Sequence, residues 1–192
     1  MIETDHTKQF LARSLIQLMR EAPLESIPVA KIAENCGLNR HTFYYHFKDK
    51  QDLVCWIFDC DVNQWFEMPS QNDIKSGRDI FYLRRIIDFM YENKAFYISA
   101  FNASGQNSLH EHLYDFIYIF REKQIDAILN GRLILPEAKR FLADYYTCAI
   151  YGMIIRWVRN NMQNPPEVFF KGYRNVAFQS MEFLINGYLK EM

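Results

Sequence analysis

Apolar residues recur at helical spacing through most of this 192-residue chain, and that periodicity limits what the chain can fold into. Helix-breaking residues are few, 7 Gly and 6 Pro, and Pro23, Gly131 and Pro136 mark the ends of periodic stretches. No alternation of strand type extends over a useful length. The sequence therefore predicts an all-α fold of about nine helices.

The order of the periodic stretches predicts how these helices follow one another. Pro23 closes the first helix, because the residue before a proline is pushed out of the α region. Asp49 is a suitable N-cap for a longer helix that runs toward Pro69. The stretch 136–162 is apolar on nearly all sides in its middle, which is typical of a helix buried against several neighbours.

Composition places the chain among globular proteins and excludes several classes. A hydrophobic fraction of 49% with 23% charged residues rules out disorder, and a net charge of -1 argues against a generally polybasic surface. The first ten residues lack a basic and an apolar segment, and no uncharged apolar window reaches the roughly 18 residues of a membrane span. We therefore expect a cytoplasmic protein without a membrane partner.

The four cysteines favour reduced thiols over a disulfide framework or a zinc site, because they form no CxxC pair. They are Cys36, Cys55, Cys60 and Cys148.

Residues 28–47, PVAKIAENCGLNRHTFYYHF, have the spacing of a helix-turn-helix. Two short helices cross closely only if a small side chain lies at the contact and the turn tolerates a positive φ; Ala33 and Gly37 meet these needs. Asn39 is a ready N-cap for the second helix. Phe43 and Phe47, four residues apart, would pin that helix to the first one of the chain.

The face of the second helix opposite the two phenylalanines carries the groups that suit a nucleic-acid contact. With the rings inward, His41, Thr42 and Tyr45 point outward at 100° per residue. Hydroxyl and imidazole groups on an exposed helix fit a major groove, where some groups reach base edges and others hold phosphates. Polar and basic neighbours extend this surface: Arg40, Tyr44, His46, Lys48 and Lys50. The alternative is that these are ordinary residues of a solvated helix.

This segment resembles the TetR/AcrR family of bacterial transcriptional regulators. The run IPVAKIAENCGLNRHTFYYHFKDKQDL, residues 27–53, matches the family pattern of I-A, Gly, a small polar cap, T-x-Y-x-H-F and a Lys that opens the next helix. A weaker similarity is YGMIIRWVRNNMQNPPEVFF, residues 151–170. The resemblance implies a homodimer with a DNA-binding domain, 1–48, and a helical ligand-binding and dimerisation domain, 49–192.

By position, the resemblance implies DNA contacts from Thr42, Tyr44, His46 and Lys50. The residues expected to vary with operator sequence are Asn39, Arg40, His41 and Tyr45. Pro28 departs from the Thr or Ser that family members usually have, so the side-chain cap of the first motif helix is missing.

The last helix carries an apolar stripe suited to a partner helix and lies beside the almost wholly apolar helix before it, so we expect the last two helices to form the dimer. The stripe contains Phe169, Tyr173, Val176, Ala177, Ser180, Met181 and Leu184.

Aromatic residues are dense between Phe81 and Trp157, which predicts either plain core packing or the lining of an effector cavity. The resemblance favours the cavity. The candidates for its lining are Phe89, Phe96, Phe101, Tyr114, Tyr118, Tyr146 and Trp157.

These observations together predict a regulator that binds a palindromic operator as a homodimer, with repression favoured over activation. An effector in the C-terminal domain, or a protein co-regulator, would control it. The alternative is a helical protein-interaction module that has weak or no DNA binding and is regulated by a protein partner. Catalysis has no motif to support it, and no cofactor or metal is expected; His110 and His112 lie two apart, where helical side chains diverge.

Overall fold

The computed structural model describes the backbone of residues 2–63, 70–76, 80–103 and 108–190. Side chains are described in these ranges except at positions 2–5, 63, 71, 75, 172, 174–179 and 190. The described residues form ten α-helices, one 3₁₀ turn and no strand, which confirms the all-α prediction.

The helices follow one another with short connections. They are α1 (Ile2–Leu18), α2 (Val29–Glu34), α3 (Arg40–His46), α4 (Lys50–Asn63), α5 (Gln71–Lys75), α6 (Ile80–Glu92), α7 (Lys94–Asn102), α8 (Leu109–Leu129), α9 (Pro136–Arg159) and α10 (Pro166–Lys190), with the 3₁₀ turn Leu24–Ser26 between α1 and α2.

The structure contains slightly more helices than the nine or so predicted, because two short ones escape the periodicity. Helix α5 is only five residues long, and a capping box between Ser70 and Asp73 starts it. Helix α7 is separated from α6 at Asn93, whose φ of -107° and ψ of 30° leave the α region.

The helices pack into two compact units. The first comprises Met1–Val62 and Asn93–His112, and the second comprises Asn63–Glu92 and Leu113–Met192. The predicted boundary at residue 48 therefore lies inside the first unit, to which α4 and α7 belong.

Buried contacts between α1 and α2 organise the core of the first unit. Leu11, Leu15 and Ile32 are fully buried there. The Ser14 hydroxyl donates to the Ile32 carbonyl at 2.6 Å and accepts from the Asn35 side-chain Nδ2 at 3.2 Å. These bonds hold α2 against α1, and thereby fix the base from which the helix-turn-helix is built.

Polar contacts hold α4 at both ends. The predicted cap is confirmed, because the Asp52 amide donates to the Asp49 carboxylate at 2.9 Å. Near the other end, the Tyr97 hydroxyl of α7 donates to Asp61 at 3.0 Å, and the His112 ring donates to Asp59 at 2.6 Å. Residues 93–112 therefore return to the first unit of the chain.

In the second unit, α9 is buried on one side only. Leu142, Ala143 and Ile150 lie in the core, whereas Tyr145 is 55% exposed. The prediction of a helix buried all round is thus wrong for a single chain, because the outer apolar residues Phe141, Tyr145 and Met153 are exposed. None of the helices in the described ranges is long and apolar enough to cross a membrane.

Candidate nucleic-acid interface

The turn between α2 and α3 has the geometry that the sequence predicts. Gly37 adopts a φ of +74°, and nothing lies within 4 Å of where its Cβ would be, so backbone conformation selects glycine there. The Leu38 amide donates to the Ala33 carbonyl at 2.9 Å, and Ala33 is fully buried. Pro28 lies at the N-cap of α2 and makes no side-chain cap, as expected.

Helix α3 is fixed at its start and on its inner face. The Thr42 amide donates to the Asn39 side-chain oxygen at 2.9 Å, which confirms the predicted N-cap. Phe43 and Phe47 are buried with ring centroids 5.9 Å apart, and Phe47 also contacts the ring of Trp56. These contacts leave the opposite face of α3 in solvent.

The outer face of α3 presents aromatic, imidazole and basic groups. Tyr45 is 81% exposed, and His41, Arg40 and Tyr44 are also exposed. The Arg40 guanidinium lies 5.3 Å from the centre of the Tyr44 ring and donates to its hydroxyl at 3.4 Å. The pairing places the positive charge of Arg40 beside the flat ring of Tyr44 at the surface. Such a combination is suited to contact with phosphate and sugar groups.

His46 lies half-buried at the end of α3. Burial, and secondarily the charge of Lys8, lower the pKa of His46 below its ordinary value. Its ring and that of Tyr45 are nearly perpendicular, with centroids 4.9 Å apart. The ammonium of Lys8 lies over the rings of Phe47 and Trp56, at 5.4 and 5.7 Å. Lys8 thus brings positive charge close to this interface, and no local spacing in the sequence indicates it.

Lys50 differs from the other predicted contact residues. Its ammonium donates to three backbone carbonyls of the turn after α1, those of Leu24 at 2.7 Å, Ile27 at 2.9 Å and Glu25 at 3.2 Å. Burial lowers the pKa of Lys50, against an opposing effect of Glu25. An ammonium has three N–H donors. A phosphate contact would therefore require at least one of these bonds to break.

The aromatic residues predicted to line a cavity contact different partners and are divided between the two units. Phe96 meets Tyr97, and Phe101 meets His110, in the first unit. In the second unit the contacts are Tyr114 with Tyr151, Tyr146 with Ser180 and Trp157 with Tyr91. Phe89 and Tyr118 are half-buried there. Two surface clefts of about 420 and 460 Å³ are described, and neither is lined by any of the seven predicted residues.

The residues predicted for the dimer interface occupy different environments. Met181 is only 1% exposed and packs in the core of its own chain, so it is not available to a partner. Tyr173 and Ser180 bind side chains of the same chain, and Phe169 contacts Trp157. Leu184 is exposed, next to Phe183 at 77%. The side chains of Val176 and Ala177 lie outside the described residues.

The two neighbouring histidines of α8 bind different partners, as their spacing predicts. His112 pairs with Asp59, whereas His110 donates to the Phe101 carbonyl at 2.7 Å. Among the described residues no group of three or more His, Cys, Asp or Glu side chains could hold a metal ion.

Relatives of the chain are transcriptional regulators. The dhaKLM operon activator DhaS of Lactococcus lactis is 28% identical over 128 residues, which cover 62% of this chain and 65% of that protein. The HTH-type transcriptional regulator SAB2452 of Staphylococcus aureus is 30% identical over 132 residues, covering 60% of this chain and 71% of that protein.

Solved structures share the fold at low sequence identity. The dihydroxyacetone kinase operon activator DhaS has a TM-score of 0.56 and 19% identity, with 97% of each chain covered. NalD, the secondary repressor of the MexAB-OprM multidrug efflux pump in Pseudomonas aeruginosa, has a TM-score of 0.50 and 13% identity. The coverage is 88% of this chain and 96% of NalD.

Family matches cover both parts of the chain. Residues 14–55 match the bacterial regulatory proteins of the tetR family, and residues 81–179 match the C-terminal region of transcriptional regulators of this type. The second match alone spans just over half of the 192 residues. The chain therefore belongs to the TetR family of bacterial transcriptional regulators.

Proposed function

We propose that the protein binds a palindromic DNA operator as a homodimer and reads it with the exposed face of α3. The observation that carries this proposal is the orientation of α3. Its phenylalanines are buried in the first unit, whereas Tyr45, His41 and Arg40 face solvent. A helix of this kind, capped at its start and open on one face, fits the major groove.

The exposed residues divide by chemistry into two roles. His41 and Tyr45, near the middle of the exposed face, read base edges together with Asn39, because their groups donate or accept hydrogen bonds. Phosphates and sugars are held by the remaining candidates, which are Arg40, Thr42, Tyr44, His46 and Lys48. The first 50 residues carry a net charge of only +1, so binding depends on these few groups and on dimerisation.

The dimer we propose uses the outer face of α9 and the end of α10. On α9, exposed residues recur at helical spacing, with large rings at Phe141 and Tyr145 and the small Ala149 and Gly152 beyond them. Small residues let a second helix approach closely, and the rings supply apolar area. On α10, Phe183 and Leu184 are exposed. A second copy would cover this surface and explain why α9 is apolar on both sides.

We further propose that an effector in the C-terminal domain controls operator binding by population shift. An effector that prefers the DNA-incompetent arrangement weakens binding by its differential affinity for the two states. DhaS is an activator and NalD is a repressor, so both signs occur among similar proteins. We favour repression, because a dimer on an operator that overlaps a promoter blocks transcription without any further contact.

A second candidate function is a protein-interaction module whose DNA binding is weak or lost. The exposed apolar side chains of α9 favour it, since a different protein could cover them instead of a second copy. The two functions differ in one observable: only the regulator binds a defined duplex with an affinity that falls as salt concentration rises.

The experiment that tests the proposal is selection of bound sequences from random duplex DNA with the purified full chain. We expect an inverted repeat with half-sites about one turn, roughly 34 to 36 Å, or a multiple of it apart. A variant with His41→Ala and Tyr45→Ala is the matched comparison, and it should select a degenerate set. Recovery of unenriched sequences with the wild-type protein would favour the interaction module.

A further inference from the structure

The core of the second unit contains a buried positive charge. Arg121 on α8 is only 2% exposed, so its guanidinium group lies inside this core. It donates to the side-chain oxygen of Gln124 and to the hydroxyl of Tyr173 on α10. The rings of Phe120 and Tyr173 lie 5.6 and 5.8 Å away. Every one of these partners is neutral.

Among the described residues this charge has no counter-ion, and the Nε edge of the guanidinium has no hydrogen-bond partner. The two hydrogen bonds use two of the five N–H groups of a guanidinium, and Nε is buried with no partner among the described residues. Burial of an unpaired ion costs several kcal/mol, and a desolvated cation–π contact offsets about 2 kcal/mol or more of that cost. The sequence of α10 from Val168 to Met181 contains no acidic residue that could supply the missing charge.

Neutral donors from two further helices accompany the guanidinium. The hydroxyls of Tyr146 on α9 and Ser180 on α10 lie 3.0 Å apart. Burial raises the pKa of Tyr146, while the Ser180 bond and then the charge of Arg121 oppose the rise. Tyr146 therefore stays neutral and within the field of Arg121. The next residue, Thr147, is fully buried, and its hydroxyl has no partner among the described residues.

We propose that Arg121 is the anchor of a binding site for a small molecule that carries a carboxylate or phosphate group. An oxyanion would accept from the unpartnered Nε–H and neighbouring guanidinium N–H groups, whose planar fork suits two oxygens at once. The hydroxyls of Tyr146, Ser180 and Tyr173 supply further donors. This inference rests on the proposed control by an effector, and it names the chemical class of that effector.

The position of the site gives the ligand a way to act. Its donors come from α8, α9 and α10, so an anion bound there draws these three helices together. Helices α9 and α10 also carry the surface that we propose for the dimer. Binding of the anion would then favour one arrangement of these helices, and with it one state of the dimer.

Thermal unfolding of the full chain, at constant ionic strength, tests the inference with four probes. Benzoate and phenyl phosphate carry the anion on an apolar body, inorganic phosphate carries it alone, and benzamide is the neutral control. We expect benzoate or phenyl phosphate to raise Tm saturably, while benzamide does not. The comparison between benzoate and phenyl phosphate identifies which anion the site prefers. No saturable shift with any of the anions would overturn the proposal.

Two variants establish where the anion binds. Arg121→Met removes the buried unpaired charge, so it should fold, and its affinity for the effective anion should fall at least tenfold. Arg140→Met, an exposed arginine of α9, is the matched control and should retain the affinity. Tyr173→Phe keeps the charge, removes one hydroxyl, and should weaken binding severalfold; it decides the test if Arg121→Met does not fold.

The inference is overturned if Arg121→Met binds the anion as tightly as wild type. If Arg121→Met does not fold, equal anion affinity of wild type and Tyr173→Phe overturns it. Operator binding is measured separately on the selected duplex without anion. A protein that binds the operator but no anion leaves the proposed function standing and removes the anion site. A protein that binds the anion but no DNA does the reverse.

Discussion

Two lysines of the first unit hold their positive charges in different environments. Lys48 is exposed beside α3, whereas the ammonium of Lys50 is bound to three carbonyls of the turn Leu24–Ser26 and its flank. On the other side of that turn, the Leu24 amide donates to the Ser99 hydroxyl of α7 at 3.0 Å. Lys50 thus joins the start of α4 to a turn that α7 also holds, which makes it a positioning residue.

Replacement of Lys50 by methionine should separate positioning from phosphate binding. We expect the free energy of unfolding to fall by about 1 to 3 kcal/mol, because the carbonyls of the buried residues Leu24 and Ile27 lose a charged donor. Operator affinity should fall while the salt slope of binding stays as in wild type. Lys48→Met is the control, and it should reduce the slope by about one while stability is unchanged. A slope reduced by one in Lys50→Met would instead identify a direct phosphate contact.

A second prediction at this scale concerns pH. Burial raises the pKa of Asp61 to about 6, and the Tyr97 hydrogen bond opposes the rise. The unfolded value is about 4. Between about pH 4 and pH 6 the folded chain holds a proton that the unfolded chain releases, so Asp61 lowers stability as pH rises through this window. Asp61→Asn should therefore gain stability relative to wild type over the same window.

Tyr97→Phe is the matched variant for Asp61, because it removes the donor that favours the charged carboxylate. We expect its loss of stability with rising pH to extend to a higher pH than in wild type. Chemical denaturation at about pH 4 and about pH 7.5 measures both effects, because these values span the window of about 4 to 6. An Asp61→Asn variant whose stability parallels that of wild type at the two pH values would contradict the account.

Whole elements differ in how well the sequence predicts them. The start, turn and inner face of α3 depend on neighbours within a few residues, so Asn39, Gly37 and Phe43 could be identified from spacing. The role of Lys50 depends on carbonyls 23 to 26 positions away, which no local pattern reveals. Helix α9 was predicted to be buried all round, because composition does not distinguish cover by the same chain from cover by a second one.

The proposed dimer surface gives the prediction at the scale of an element. Tyr145→Glu puts a charge on the exposed apolar face of α9, and an unpaired charge in an interface costs more than the 1.4 kcal/mol that corresponds to tenfold in Kd. Sedimentation at micromolar concentration should show a dimer for wild type and a shift toward monomer for the variant. Lys123→Glu, exposed on α8, is the control and should stay dimeric. A monomeric wild type would refute the interface.

The division of the molecule into two compact units does not follow the order of the motifs along the sequence. Residues 93–112 belong to the first unit although the sequence places them in the middle of the C-terminal region. The bonds of Tyr97 to Asp61 and of His112 to Asp59 explain this, since both reach back to α4. Such pairs join residues 36 and 53 positions apart, beyond the reach of periodicity. Local spacing does not reveal the buried environment of Arg121 for a related reason, because its partner Tyr173 is 52 positions away.

We propose that the exposed face of α3 reads DNA. An equilibrium titration of the selected duplex against a scrambled one, over a range of salt concentrations, tests this most directly. Wild type should prefer the selected duplex, bind as two chains per duplex and weaken as salt rises. His41→Ala with Tyr45→Ala should lose about 1 to 3 kcal/mol of that preference per base contact and keep the salt slope. Equal affinity of wild type for both duplexes, or an unchanged preference in the double variant, would contradict the claim.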